Sequence, residues 1–263
     1  MRADKYFSER YGSRTKAAEA IERGWVIVNG KTIRPKDEVS ETDTVIFAET
    51  GDKFVSMGGY KLARAIEAFG VSVKGKSFAD VGASTGGFTD CLLQNGAARV
   101  YAVDVGESLL DERLRADSRV IVKDNTNARY LTKEAFEEPI DGVVADVSFI
   151  SLRLIFPVIA YLLGDDGFAL VLIKPQFECE NKNIGKSGIV PPSKHVEIVK
   201  KVLGYAEAVG LYPFNLVNAP VRKGKNVEYV LYVGKRKEAS LPVWKIVAKT
   251  EEFIERYKQG TLV

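Results

Sequence analysis

S-F-A-D-V-G-A-S-T-G-G-F, Ser77 to Phe88, is the stretch whose reading decides the fold. It reads as a short buried strand, Ser77 to Val81, running into a glycine-rich turn, with a helix beginning near Gly86. Gly82, Gly86 and Gly87 have no side chain in the way, so the backbone can approach a ligand closely. The helix start offers unpaired N–H groups, and open α/β sheets bind ligands in the crevice beyond their strand ends. The spacing is G-x-x-x-G-G rather than G-x-G-x-x-G, which suits a dinucleotide poorly. Asp80, just before the turn, suits a cationic ligand and points to S-adenosylmethionine, with its sulfonium and amino groups. Alone, such a turn could equally be a structural strand-to-helix connection.

The chain after Ser77 sharpens the reading. Strands and helices alternate, which argues for a parallel sheet with helices on both faces. R-V-Y-A-V-D-V, Arg99 to Val105, is a second strand ending in Asp104. An acid at this strand end can accept hydrogen bonds from both ribose hydroxyls of a nucleotide-like cofactor. A third strand, Val120 to Lys123, runs into D-N-T-N, where Asp124 or Asn125 could meet an adenine amino group. The fourth, from Asp141, is apolar until Asp146 and then carries Ser148. The fifth, G-F-A-L-V-L-I-K-P, is apolar until Lys174. Burying an unpaired carboxylate after such a run would be costly, so Asp146 and Lys174 are expected to emerge on one rim, close enough to pair. The polar loop 177–192, with Gly185 and Gly188, is long enough for a substrate-contacting lid. Ser193 is expected to cap the next helix, with His195 on its surface. Strands six and seven follow around 214–219 and 226–233, and Glu228 is inward-capable near the start of the last.

Upstream, residues 51–59 read as a glycine-punctuated linker, and Lys61 then opens a helix with Leu62, Ala65, Ile66 and Phe69 on one side. A lysine at a helix start opposes the macrodipole, which hints that it is kept for chemistry. Residues 1–50 form a small module of their own. Ser13 can cap a helix with Ala17, Ala18 and Ile21 inward and Arg14, Lys16 and Arg23 outward. Trp25 to Lys31 is a strand ending in Asn29-Gly30, a strong hairpin signal, and another strand spans Thr44 to Ala48.

Composition sets the outer bounds. The 263 residues are 46% hydrophobic and 28% charged, ordinary for a globular protein of one large domain or a large and a small one. Net charge is only +3, but it is segregated: residues 1–36 carry nine Lys/Arg against four Asp/Glu, while 37–52 carry six acids and no base. That suggests a local basic face. Two cysteines, Cys91 and Cys179, at no disulfide or metal-ligand spacing, imply a reducing cytoplasm and no zinc site, and the longest apolar runs fall far short of a membrane span.

Two resemblances follow from these residues. The pattern S-R-x-x-A-x-x-x-I-x-x-G-x-V-x-V-N-G, Ser13 to Gly30, is similar to the alpha-L RNA-binding domain. It implies that Arg14, Lys16, Arg23 and Lys31 face RNA phosphates, a salt-sensitive interaction. Lys61, Asp146, Lys174 and Glu228, read singly, would each be a salt-bridge residue. As a set, in this order, they resemble the Lys-Asp-Lys-Glu tetrad of the FtsJ-like ribose 2′-O-methyltransferases. The segments G-G-Y-K-L, D-V-G-A-S-T-G-G-F-T-D, D-V-S-F-I-S-L, K-P-Q-F-E and N-V-E-Y extend the likeness to the TlyA family, also called hemolysin-like. The departure is E-S-L-L-D-E-R after Asp104-Val-Gly, where relatives carry a Gln-Leu step.

The resemblance implies a Rossmann-like α/β methyltransferase domain over 60–263, with a seven-stranded, mostly parallel sheet, behind an α+β RNA-binding domain over 1–50. It implies S-adenosyl-L-methionine as cofactor, held by Asp80, Gly82, Ala83, Ser84, Thr85, Gly86, Gly87, Phe88, Asp104, Val105, Asp124, Asn125 and Asp146. The implied substrate is a ribose 2′-hydroxyl, taken as that of a cytidine, in ribosomal RNA or a ribosomal subunit, with no metal and no membrane. A 2′-hydroxyl is a poor nucleophile, and Lys174 is the residue expected to take its proton. A non-catalytic RNA-binding assembly factor and a membrane-acting hemolysin are the alternatives.

Overall fold

The computed structural model describes residues 1–22, 24–47, 53–179, 188–221 and 224–262. The chain divides into two compact units, Met1–Lys53 and Phe54–Val263.

In the first unit, helix α1 (Ala3–Tyr6) precedes α2 (Arg14–Glu22), and strands β1 (Val26–Val28), β2 (Lys31–Thr32) and β3 (Val45–Phe47) form an antiparallel sheet in the order β2-β1-β3. Ser13 Oγ accepts the Lys16 N–H at 3.2 Å, satisfying one of the unpaired donors at the start of α2. Asn29 and Gly30 both have positive φ, 51° and 75°, the geometry of the tight turn that joins β1 to β2. Ala17, Ala20 and Ile21 of α2 pack on Phe7, Val26, Val28 and Val39. The inward stripe thus runs through Ala20, and Ala18 is only half-buried.

The second unit opens with α3 (Met57–Phe69), so Met57, Gly58 and Gly59 lie in a helix rather than a linker and Lys61 falls in its second turn, not at its start. The glycine pair misleads because it serves packing: a Cβ on Gly59 would lie 2.3 Å from the buried Phe54 ring, and one on Gly58 would press on Phe88 and Ser56. Then follow β4 (Ser77–Val81), α4 (Gly87–Gln94), β5 (Arg99–Val103), α5 (Glu112–Arg115), β6 (Val120–Lys123), β7 (Gly142–Ala145) and α6 (Phe156–Leu162). After these come β8 (Phe168–Ile173), α7 (Pro175–Glu178), α8 (His195–Glu207), β9 (Tyr212–Asn218), β10 (Tyr229–Gly234) and α9 (Val243–Lys258). The seven strands order as β6-β5-β4-β7-β8-β10-β9, parallel except for β10, which is antiparallel to both neighbours.

Alternation sorts the side chains into two cores. Ala79, Val81, Val103, Ala145, Val171, Ile173 and Tyr229 face α6, α8 and α9. Phe78, Val100, Ala102, Val144, Leu170, Leu172 and Val230 face α3 and α4. Every residue of β8 is buried, as a central strand covered on both faces requires.

His195 departs from the expected surface position. It is buried, with Nδ1 2.8 Å from the Tyr229 hydroxyl and Nε2 3.3 Å from the Val190 carbonyl, and burial pushes its pKa down. Ser193 makes no helix cap: α8 begins at His195, after a tight turn over Pro192–Lys194. β10, which begins at Tyr229, explains the burial, because Tyr229 faces the α8 core and its hydroxyl needs a partner there. Half of the loop expected to act as a lid, residues 180–187 with Gly185 among them, lies outside the described residues.

Candidate active site

The parallel strands β4 to β8 end on one rim of the sheet, and antiparallel β10 begins there. Ala145 and Ile173 are the last residues of their strands and Tyr229 the first of its own, and all three face α6 and α8. The adjoining residues, Asp146, Lys174 and Glu228, therefore turn to the opposite face, towards α3. Glu228 lies one residue before β10, but its carbonyl still accepts the Ala219 N–H at 2.8 Å, continuing the ladder. Lys61 reaches the same place from α3.

The four side chains meet. Lys61 Nζ lies 2.7 Å from Glu228 Oε2 and 3.8 Å from Asp146 Oδ2, and Lys174 Nζ lies 2.5 Å from Asp146 Oδ1. Lys174 also donates to Ser148 Oγ at 2.8 Å. Their side chains are 12–19% exposed, so the ionic cluster is largely desolvated yet open to a ligand.

Two adjoining cavities border the cluster. The larger, about 350 Å³, is bounded by Gly82, Ser84, Val103, Asp104, Val105, Thr126, Asn127, Asp146 and Phe149, among others. The smaller, about 160 Å³, lies above the glycine turn and is bounded by Ser56, Gly58, Gly82, Ala83, Ser84, Thr85, Gly87, Phe88, Asp146, Ser148 and Lys174. Asp104 is fixed over the larger one: Ser84 N–H donates to its Oδ2 and Gly106 N–H to its Oδ1, both at 2.8 Å. Leu109, in the segment that departs from the TlyA pattern, lines the same cavity.

Other residues fall elsewhere. Gly86 has φ 94° and packs under Leu110 and Leu114, behind the cavity wall. Asp80 is fully buried beneath the turn, where Thr89 Oγ1 donates to its Oδ2 at 2.7 Å and Oδ1 has no hydrogen-bond partner. Burial raises its pKa to about 7 against the opposing Thr89 bond, with the charges of Asp146 and Asp104 adding to the rise. Asp124 and Asn125 do not line the cavities: Arg115 holds Asp124 at 2.9 Å, Ser108 N–H donates to it, and the chain turns at Asn125, φ 53°. Thr126 and Asn127, one and two positions later, line the larger cavity instead. In the first unit Arg14 is tied to the buried Asp4 at 3.2 Å, while Lys16 and Lys31 are exposed, and Arg23 lies outside the described residues.

Three features were not anticipated. Ser56 and Gly58 bring the first turn of α3 against that of α4, and a Cβ on Gly87 would lie 2.2 Å from Ser56 Oγ and 2.9 Å from Gly59 N. Phe149 is 90% exposed at the cavity edge with φ 61°, a backbone region bulky residues avoid, and its ring stands 5.0 Å from that of Phe177. Glu178, buried, accepts from Ser151 Oγ at 2.8 Å and Leu152 N at 2.7 Å, tying the segment after β7 to α7. Only Gly58-Gly59 and the acid of K-P-Q-F-E signalled these in the sequence.

The donor set fits S-adenosyl-L-methionine. Asp104 offers a carboxylate to a diol, and two helix N-termini open on the smaller cavity, where backbone N–H groups favour a carboxylate. Gly82, φ 83°, admits the close approach; a Cβ there would lie 2.9 Å from the Asp146 carbonyl oxygen. No helix among the described residues is long and apolar enough to cross a membrane.

The family profile of the FtsJ-like methyltransferases matches residues 54–236, and that of the S4 domain residues 1–45. The chain is 41% identical over 238 residues to Hemolysin A of Brachyspira hyodysenteriae, covering 88% of this chain and 99% of that protein. It is 39% identical over 233 residues to the 16S/23S rRNA (cytidine-2′-O)-methyltransferase TlyA of Mycobacterium tuberculosis, covering 87% of each. A solved structure from Streptococcus thermophilus, given a hemolysin designation, superposes with a TM-score of 0.75 at 33% identity and 98% coverage of both chains. The profile match over residues 54–236, with relatives about 40% identical over most of the chain, makes the chain a member of the FtsJ-like methyltransferase family, in the TlyA branch that carries an S4 domain ahead of the methyltransferase unit.

Proposed function

We propose that the chain methylates the ribose 2′-hydroxyl of a cytidine in ribosomal RNA, with Lys174 as general base. The observation that carries this reading is Lys174 Nζ lodged between Asp146 and Ser148 at the edge of the cavity above the glycine turn. The choice of cytidine and of ribosomal RNA draws on the named activity of the Mycobacterium tuberculosis relative.

S-adenosyl-L-methionine, when bound, supplies a methyl group already activated by the sulfonium charge. The protein's part is orientation and proton handling. Asp104 would hold the ribose hydroxyls, the first turns of α3 and α4 would hold the amino-acid carboxylate, and Thr126 and Asn127 would border the base. The amine form of Lys174 would take the 2′-hydroxyl proton as the oxygen–methyl bond forms and the donor's sulfur–methyl bond breaks, leaving a neutral thioether, and Asp146 would neutralise the resulting ammonium. Ser148 and Asp146 aim the Lys174 nitrogen, and Glu228 keeps Lys61 beside the same carboxylate. A well-placed base contributes ~100- to 10,000-fold, and in-line alignment of the reactants supplies much of the rest.

The first unit serves docking. Lys16, Lys31 and the Asp4-anchored Arg14 present cations for RNA phosphates, a contact that weakens as salt rises. The test is labelled methyl transfer to ribosomal RNA from a strain lacking the protein, with the modified position mapped. A 2′-O-methylcytidine is the expected product; label on a base, or none on RNA, overturns the proposal.

A further inference from the structure

We propose that an exposed strip of basic and aromatic side chains on the catalytic unit, leading away from the mouth of the larger cavity, binds a single-stranded segment of RNA next to the target nucleotide. The inference rests on the RNA reading given above and adds a surface to it.

The strip begins at the cavity. Asn127 and Ala128 line it on one side, and Arg129 and Tyr130 follow immediately, Tyr130 being 73% exposed. Phe149 and Ile150 line it on the other side, and the exposed Arg153 follows before Ile155 returns to the lining. From there α6 carries the surface onward. Its Phe156, Ile159 and Leu162 are buried, which leaves Tyr161 on the outer side, half exposed.

Single exposed aromatics are ordinary, but these are paired with cations. The Arg129 guanidinium lies 5.7 Å from the Tyr130 ring centre, and the Lys133 ammonium 5.5 Å from that of Tyr161. Other arginines of the same unit are neutralised by carboxylates: Arg99 by Glu137, Arg113 by Asp111, Arg115 by Asp124, Arg119 by Asp117. In the strip Arg129 and Lys133 instead stand on aromatic faces, Lys133 with Glu134 as its neighbouring acid, and Arg153 is exposed.

Cations interleaved with exposed rings are what a single strand needs. Each base has a π-face to stack on a ring, and each phosphate has a cation to meet. A duplex would not use the rings, because its bases are already stacked. Phe149, held outward by its strained backbone at the head of the strip, would receive the first unstacked base.

The test uses the full chain, ribosomal RNA from a strain lacking the protein, and a fluorescent twelve-nucleotide cytidine-rich RNA as binding probe. Arg129→Glu with Arg153→Glu is expected to weaken probe binding at least tenfold and to flatten the salt dependence of log affinity by about 1.4, roughly 0.7 for each lost phosphate contact. KM for ribosomal RNA should rise in parallel, with kcat at saturation and S-adenosylmethionine affinity within twofold of the parent. Tyr130→Ala should weaken the probe about fivefold or more without changing the salt slope. Should the Glu variant fail to bind S-adenosylmethionine, Arg129→Gln with Arg153→Gln gives the same reading without charge reversal. Probe affinity, salt slope and KM all equal to the parent's would overturn the strip as an RNA surface, while methyl transfer by the parent left the proposed function standing. Strip-dependent probe binding without methyl transfer by the parent would overturn the function and keep the surface.

Discussion

Lys61 and Glu228, from opposite ends of the catalytic unit, meet at 2.7 Å, while Lys174 leans on Asp146 at 2.5 Å. The two lysines thus share the two carboxylates unequally. Lys61 keeps Glu228 and stands 3.8 Å from Asp146, so it lies between both acids. Lys174 has one acid and a hydroxyl, Ser148, as partners. Of the two nitrogens, Lys174 is the one at the edge of the cavity above the glycine turn.

Lys174→Ala should lower kcat by ~100- to 10,000-fold, the usual contribution of a positioned base. S-adenosylmethionine affinity, read by calorimetry, should stay within a few-fold. Lost cofactor affinity with turnover preserved would remove Lys174 from the mechanism.

Glu178 lines neither cavity of the site, yet it clamps Ser151 and Leu152 to the helix that follows Lys174. Glu178→Ala leaves the Leu152 N–H without its acceptor and should cost about 1–3 kcal/mol of stability. It should also reduce kcat more than cofactor affinity, and Glu178→Gln, which keeps an acceptor, should recover part of both. A kcat equal to the parent's in the alanine variant would show that the clamp is purely structural.

Gly82→Ala places a methyl group 2.9 Å from the Asp146 carbonyl at a φ of 83°. Strain of this kind costs about 1–3 kcal/mol. Thermal denaturation should register the loss, and cofactor affinity should fall at least tenfold because the same backbone walls both cavities.

Asp80 gives a pH signature. Its carboxyl titrates near 7 when folded but at an ordinary 3.8 when unfolded, so between these values the folded protein holds the extra proton. Stability contributed by the neutral acid is complete below pH 3.8 and is lost as pH rises through 7. In the ligand-free protein, Asp80→Asn should therefore gain Tm relative to the parent as pH rises from 5 to 8. Parallel Tm curves across that range would contradict the raised pKa.

Much of the architecture was legible because it rests on local patterns. The apolar run 168–173 read as a strand and is one buried on both faces, and the glycine spacing of 82, 86 and 87 marked the turn that walls the cavities. Period-two alternation put Asp146 and Lys174 on one rim and made Glu228 inward-capable; that the three share a face follows from the packing of Ala145, Ile173 and Tyr229 on the other one. Less legible was anything that depended on what a side chain packs against. Gly58-Gly59 looked like a linker but lets α3 and α4 close on one another, which moved the helix start and put Lys61 in its second turn. His195 looked like a surface residue and is buried against Tyr229.

The amino-acid order by itself determined the alternating fold, the two units and the identities of the four charged residues, because hydrophobic period and glycine placement act over a few neighbouring positions. Only the tertiary structure decided which lysine takes which carboxylate, that Asp80 lies beneath the turn rather than in the cavity, and that Thr126 and Asn127 border it instead of Asp124 and Asn125. Each of those outcomes is a competition between partners that the fold brings together: Arg115 for Asp124 and Thr89 for Asp80, each pair 9 positions apart, and Glu228 for Lys61 from opposite ends of the unit. Such competitions are settled by distance and desolvation, and neither exists until the sheet and its helices have packed.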